Sequence, residues 1–303
     1  MGLGTMGSQF ASVFLMAGHD VLGYEPNDSQ WARAQKQIRQ GLLTLGNERI
    51  EQTFTHGFRR TTRLEDVQHV EFVLEAVPEK LDLKQRLHQS VSRLNPNAIL
   101  ATNTSAFRIV DVFAFTEGPH RVIGTHWFNP PHLVPGVEVI LSEKTSVYTR
   151  EIVMRLLREL GKEPVLVEDS PGFVINRLQM ALVNEAVRCV EEKVVSPNEM
   201  DILVRATLGF RLAQFGPLSV ADWAGLDIYK SIFEYLKEHL GSRFDCPQML
   251  NDMVDRGELG IKTRRGFFQY TGDFETLLSN RDKSLRKQGQ VWSHGGESYD
   301  EPK

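Results

Sequence analysis

Six short apolar runs punctuate the first half of the chain: Asp20–Tyr24, Phe72–Ala76, Ala98–Ala101, Arg121–Gly124, Val137–Leu141 and Pro164–Val167. Between them, Gln9–Ala17, Gln30–Leu45, Leu81–Leu94 and Arg150–Leu160 repeat their apolar residues at helical spacing. Strands that alternate with helices, and are apolar along most of their length, predict a parallel α/β sheet covered on both faces. The period changes at Asp169-Ser170-Pro171-Gly172. Beyond it, Val174, Leu178, Ala181, Leu182 and Ala186 mark a long helix over Phe173–Val190. Pro197–Leu208, Ser219–Leu240 and Pro247–Arg256 continue as helices, without strand alternation. The pattern therefore predicts an α/β domain over 1–169, an all-helical domain over 170–270 and a tail over 271–303. In the tail a weak helix, Glu275–Gln288, leads into a Gly/Ser/Asp/Glu/Pro-rich end expected to lack a core of its own.

Two domains suit 303 residues, and 41% hydrophobic with 24% charged residues excludes global disorder. Lys+Arg 35 against Asp+Glu 39 leaves a formal charge of −4 with no long basic run, which argues against nucleic acid as a partner. No apolar stretch approaches a membrane span, and the N-terminus lacks a signal-peptide pattern. Cys189 and Cys246 read as reduced residues, so the expected compartment is the cytoplasm. No His/Cys/Asp/Glu cluster has metal-ligand spacing, and no metal is expected.

Gly2-Leu3-Gly4-Thr5-Met6-Gly7 is G-x-G-x-x-G and opens a helical pattern. In a dinucleotide-binding unit the first Gly makes the tight turn and the second admits the pyrophosphate. The third lets helix and strand pack closely. Glu25 closes the next strand pattern at about the 20-residue separation of the ribose-binding acid, and an acid there favours NAD over NADP. A Gly turn followed by a surface Glu would leave the same letters. The fingerprint ordinarily follows a strand, yet Met1 stands where that strand would end; the expectation is a chain recorded from too late a start, with a truncated chain as the alternative.

Ala101–Ser105, Gly124–Pro131 and Val137-Glu138-Val139 bring a second set of groups. His126 follows a short apolar strand, and Glu138 lies on the next one. Alcohol oxidation needs a base for the hydroxyl proton, and neutral His suits it. A carboxylate on the far ring nitrogen fixes the tautomer and stabilises the imidazolium. Taken alone, a His at a strand end is also a common structural hydrogen-bonder.

The chain resembles the 3-hydroxyacyl-CoA dehydrogenase family from Gly2 to about Tyr270. The resemblance rests on Gly2–Gly7, Leu74–Glu79, Asn103-Thr104-Ser105, His126–Pro130, Val137-Glu138-Val139, Asp169–Leu178, Phe215–Leu218, Gly225-Leu226-Asp227 and Gly260–Tyr270. It implies an NAD-binding Rossmann domain followed by an all-α domain that forms a homodimer, and a place in fatty acid metabolism. It implies His126 as catalytic base, Glu138 as its partner, and Ser105 and Asn176 as holders of the substrate oxygen. Gly2, Gly4, Thr5, Met6, Gly7, Glu25, Glu79, Lys84 and Asn103 match cofactor-binding positions.

Two departures bear on the substrate. The stretch between Glu25 and Glu79, which clasps CoA in the acyl-CoA enzymes, is short here; Lys36, Arg39, Arg59 and Arg60 are its candidate cations. Val77-Pro78-Glu79, Asn129-Pro130-Pro131, Asn176–Gln179 and Gly209–Ala213 resemble the branch that oxidises free hydroxy acids of the L-gulonate or L-carnitine type. In that branch Arg211 would hold a substrate carboxylate; otherwise it caps a helix end. The expected activity is NAD-dependent oxidation of a short L-3-hydroxyacyl-CoA, with a free 3-hydroxy acid as the alternative. A non-catalytic, crystallin-like or cofactor-sensing protein is the alternative of another class.

Overall fold

The computed structural model describes residues 1–294. The strands are β1 (Val21–Tyr24), β2 (Phe58–Thr61), β3 (Phe72–Glu75), β4 (Ile99–Thr102), β5 (Val122–Trp127), β6 (Gly136–Leu141) and β7 (Glu163–Glu168). In the first half the helices are α1 (Thr5–Met16), α2 (Asp28–Thr44), α3 (Ile50–Gly57), α4 (Leu81–Leu94), α5 (Ile109–Val112) and α6 (Val147–Glu159). Then come α7 (Ile175–Glu191), α8 (Pro197–Val204), α9 (Phe210–Leu212), α10 (Pro217–Ala224), α11 (Leu226–Leu240), α12 (Gln248–Asp255) and α13 (Phe274–His294). No described helix is long and apolar enough to cross a membrane. By internal contacts the chain divides into two compact units, Met1–Val183 and Asn184 onward.

In the first unit β1 and β2 pair in parallel, and β3-β4-β5-β6-β7 form a five-stranded sheet. Met1 and Gly2 stand where a strand was expected ahead of the fingerprint. Gly2 N donates to Tyr24 O (3.0 Å), Met1 N to Leu74 O (2.7 Å) and Ala76 N to Met1 O (2.8 Å). These bonds tie the C-terminal ends of β1 and β3 together.

The larger sheet corrects the expectation of a wholly parallel one. β5 and β6 are antiparallel, with His126 opposite Glu138. The turn between Trp127 and Gly136 is too short for the helical crossover that parallel neighbours require. β5 also runs further than its apolar run suggested, so His126 sits inside the strand rather than after it. The apolar pattern likewise missed β2 and α3, which are short and carry Arg59, Arg60 and His56 among their residues.

Alternation along the strands sorts the two faces. Ile99, Ala101, Ile123, Val137 and Val139 pack with Phe10 and Val13 of α1 and with Val153 and Leu157 of α6. Leu100, Val122 and Ile140 face the other way, onto Val91 of α4, Ile109 and Val112 of α5, and Phe173. The even-numbered His126 and Glu138 fall on this second face.

The second unit is helical, with Ala221, Leu226, Leu250 and Met253 at its core. Asp222 is fully buried and accepts from Phe267 N, Phe268 N and Tyr270 Oη, each at 3.0 Å, which pins the Gly260–Tyr270 segment. The single helix expected over Ser219–Leu240 is two, because Gly225 takes φ +104° between α10 and α11. A π-helical turn, Arg205–Gly209, joins α8 to α9. α13 is longer than expected and has partners: Gln214 Nε2 donates to Gln288 Oε1 (3.0 Å), and Phe210 meets Trp292 edge-on at 6.0 Å. Residues 295–303, the end expected to lack a core, lie outside the described residues.

Candidate active site

The antiparallel register makes a cross-strand pair of His126 and Glu138. Nδ1 lies 2.7 Å from Oε2, and each side chain is 5% exposed. Phe128 closes on the ring edge-on at 4.7 Å and Phe173 at 5.7 Å. Nε2 has no hydrogen-bond partner among the described residues. Burial is the strongest single influence on the Glu138 carboxyl and pushes its pKa up. Bonds from His126 and from the Ile175 and Val174 N–H groups outweigh it and hold the pKa below the ordinary value. An ionised Glu138 keeps the proton of a neutral His126 on Nδ1, which leaves a lone pair at Nε2.

Glu138 does a second task. Its Oε1 accepts from Val174 N and Ile175 N, both at 2.9 Å, at the start of α7. The chain enters that helix through Gly172 (φ +71°) and Phe173 (φ +50°), a left-handed turn that costs a bulky residue energy. Full burial of Phe173 against Ile140 and Val122 offsets the cost. One carboxylate thus orients the imidazole and sets the helix that carries Asn176.

Asn176 Nδ2 donates to Ser105 O at 2.6 Å, joining α7 to the loop after β4. Asn176 Oδ1 and Ser105 Oγ carry no hydrogen bond among the described residues. The loop is gathered by Glu79, whose Oε1 accepts from Thr104 Oγ1, Ser105 N (3.0 Å) and Ala106 N (3.3 Å). Asn103 Oδ1 accepts from Trp127 N (2.9 Å), beside His126.

Lys84, expected among the cofactor-contacting residues, is instead 1% exposed. Its Nζ lies 2.7 Å from Glu75 Oε1 and 3.1 Å from Glu79 Oε2. Glu75 is fully buried and also accepts from Thr102 Oγ1 (2.7 Å) and Val77 N (2.8 Å). His88 Nε2 is 3.4 Å from Glu75 Oε2 but out of line for a hydrogen bond. Glu75 and Thr104 were missed from the sequence; a Glu inside the apolar run Phe72–Ala76 was the available signal.

At the fingerprint, the observations fit a dinucleotide. Gly2 has φ +81°, and a Cβ there would stand 2.9 Å from Ala76 O. A Cβ on Gly7 would stand 1.9 Å from Gly2 O, so this glycine lets turn and helix meet. Gly4 meets nothing within 4 Å, which leaves its backbone open to an approaching group. No side chain caps α1 and no acid lies in its first turn, so its N–H groups and positive dipole end are open to phosphate. Thr5 is exposed and Met6 half-buried against the core. Glu25 accepts from Leu3 N through Oε2 and from Asn27 N through Oε1, both at 3.0 Å, and each oxygen retains accepting capacity. Gly7→Ala is expected to force the turn from the helix, at a cost of about 1–3 kcal/mol. NADH binding is expected to be lost with it, which thermal unfolding and a fluorescence titration would check together.

The cations ascribed to a CoA clasp are partly claimed. Arg39 forks onto Glu51, Nε to Oε1 at 2.6 Å and Nη2 to Oε2 at 3.1 Å, and Arg60 Nη2 lies 2.6 Å from Asp28 Oδ1. Lys36 and Arg59 are exposed. Arg211 belongs to the second unit, exposed, with Nε on Thr207 O at 3.3 Å within its own helical run.

Comparison with known proteins extends the geometry. The family profile described as 3-hydroxyacyl-CoA dehydrogenase, NAD binding domain, matches residues 1–170, and the corresponding C-terminal domain matches residues 172–270. The chain is 35% identical over 291 residues to a 5-formyl-3-hydroxy-2-methylpyridine 4-carboxylate 5-dehydrogenase of Mesorhizobium japonicum, covering 94% of each. It is 36% identical over 277 residues to a probable 3-hydroxybutyryl-CoA dehydrogenase of Bacillus subtilis, covering 89% of this chain and 95% of that one. A solved 3-hydroxyacyl-CoA dehydrogenase of Archaeoglobus fulgidus superposes with TM-score 0.81 at 31% identity, covering 96% of this chain and 97% of the other. A Rossmann-type α/β unit with an NAD fingerprint, a helical C-terminal part and profiles matched in order lead to one conclusion: the chain belongs to the 3-hydroxyacyl-CoA dehydrogenase family of NAD-dependent enzymes.

Proposed function

We propose that the protein oxidises a short L-3-hydroxyacyl-CoA, of the 3-hydroxybutyryl-CoA kind, to the 3-ketoacyl-CoA. The observation that carries this reading is the buried His126–Glu138 pair, 2.7 Å apart, with Nε2 of the imidazole unclaimed. His126 Nε2 takes the hydroxyl proton, and ionised Glu138 stabilises the imidazolium that forms. Ser105 Oγ and Asn176 Oδ1 orient the substrate oxygen; Glu79 gathers the loop that carries Ser105, and Asn176 on α7 is bonded to that loop through Ser105 O. NAD, when bound, supplies the acceptor for the hydride that leaves carbon. The backbone of Gly2, Gly4, Thr5, Met6 and Gly7 holds its phosphates and Glu25 its ribose. Glu79 and Asn103 complete the cofactor site, and Lys84 acts on it through Glu79.

Residues 1–169 form the NAD-binding domain in this reading, 170–270 the substrate and dimerisation domain, and 271–303 a tail. A homodimer is supported by apolar side chains left exposed on the helices: Leu178, Leu182 and Val187 on α7, Ile228, Ile232 and Tyr235 on α11. A reducing compartment, the cytoplasm, is supported by two free cysteines.

A second reading, a free hydroxy acid as substrate, is favoured by the pairing of Arg39 and Arg60 with acids and by the similarity to a pyridine carboxylate dehydrogenase. Arg211 is then the candidate for the carboxylate. Oxidation of NADH in the presence of acetoacetyl-CoA decides between them. Brisk turnover is the expected result. Absence of turnover in a protein that still binds NADH would overturn the acyl-CoA reading in favour of the free acid.

A further inference from the structure

Two charged side chains, Arg60 and Asp28, meet beside the Glu25 backbone where β1 and β2 end. Glu25 closes β1 and is bonded to the fingerprint through Leu3 N. Arg60 of β2 donates Nε to the Glu25 carbonyl at 3.0 Å and Nη2 to Asp28 Oδ1 at 2.6 Å, with its guanidinium 5.6 Å from the centre of the Trp31 ring. The Arg60 side chain is 17% exposed and that of Asp28 is 89% exposed. The guanidinium is therefore anchored by a carbonyl and an aromatic ring, while its charged partner lies in water. Exposed ion pairs add little to stability, so holding the fold together is a poor account of Asp28. Asp28 is also the first residue of α2, where the helix dipole favours negative charge. An anion is thus held between a fixed guanidinium and a helix start, next to the acid that the fingerprint assigns to a ribose.

We propose that Asp28 is a coenzyme-selecting residue, its carboxylate occupying on Arg60 the place that the 2′-phosphate of NADP would need. Glu25 accepts from ribose hydroxyls and repels a 2′-phosphate. Asp28 acts differently: it neutralises the cation bonded to the Glu25 turn and so withholds a fork suited to that phosphate. The inference rests on the reading of Gly2–Gly7 and Glu25 as a dinucleotide site.

Asp28→Asn removes the charge and leaves Arg60 anchored on Glu25 O and Trp31. Dissociation constants for NADPH and NADH, read from quenching of protein fluorescence, test the assignment without any turnover. The ratio of NADPH to NADH affinity is expected to rise about tenfold in Asp28→Asn, a change of about 1.4 kcal/mol. The double variant Asp28→Asn/Arg60→Gln is expected to lose that gain. An unchanged ratio in Asp28→Asn, with NADH still bound, would overturn the proposal. So would a gain that persists without Arg60, since loss of negative charge alone would then explain it. Failure of the unmodified protein to bind NADH would strike the dinucleotide reading itself, and the proposal with it.

Discussion

His126→Gln is expected to lower kcat by about 10²–10⁴-fold, the contribution of a positioned general base, while NADH affinity stays near that of the unmodified protein. The argument turns on what glutamine keeps. Its amide fills much of the space between Phe128 and Phe173 and can still donate to Glu138 Oε2. Glu138 Oε1 still holds Val174 N and Ile175 N, so α7 and Asn176 keep their places. What is lost is the ring nitrogen whose lone pair is open to the substrate's hydroxyl proton. Steady-state turnover measured beside an NADH titration separates the two effects. Turnover like that of the unmodified protein would remove His126 from the mechanism, and loss of NADH binding would mean that the ring serves the fold instead.

The pair illustrates what the chain discloses and what folding adds. The two residue types are readable, because a His and a Glu on successive apolar runs suggest a base and its orienter. Their contact is a matter of register. Had β5 and β6 been parallel, as the alternation of strands and helices suggested, nothing would have placed residue 126 opposite residue 138. The antiparallel pairing follows from the short turn through Pro130 and Pro131, a constraint weaker in the letters than in space. The Gly2–Gly7 fingerprint was fully legible, because each glycine answers to local geometry that a Cβ would violate or to space that must stay open.

Phe173 was not legible in the same way. Phenylalanine is a poor choice for φ +50°, and its full burial in the cluster that holds Ile140 and Val122, with the Glu138 bonds just after it, makes the turn tenable. Lys84 shows the opposite failure. A lysine on an amphipathic helix reads as a solvated residue or a contact for a phosphate. Its burial is decided by Glu75 at the end of β3, the strand that precedes its helix, and the helical period alone does not carry that information.

That same pair yields the largest stability effect expected in the molecule. Glu75 is buried, and burial by itself pushes its pKa up. The Lys84 ammonium, 2.7 Å away, opposes this, and the pKa falls from 4.5 to about 2. A depressed pKa means that the contribution to stability is present above the unfolded value of 4.5 and is lost as pH falls through 2. At 1.36 kcal/mol per pH unit the contribution is about 3 kcal/mol at neutral pH. Lys84→Met removes the compensating charge and leaves a carboxylate in the core, at an expected cost of about 3–5 kcal/mol. His88 cannot take over, because burial pushes its own pKa down and keeps it neutral at pH 7. Thermal unfolding at pH 7 is expected to show a melting temperature lower by roughly 10 °C. With its partner gone, Glu75 binds a proton more readily folded than unfolded, so the gap between variant and parent should narrow as pH falls toward 4. A gap that stays constant across that range would show that Lys84 matters for its packing and not for its charge. A melting temperature within about two degrees of the parent would mean that the ammonium is not what compensates Glu75.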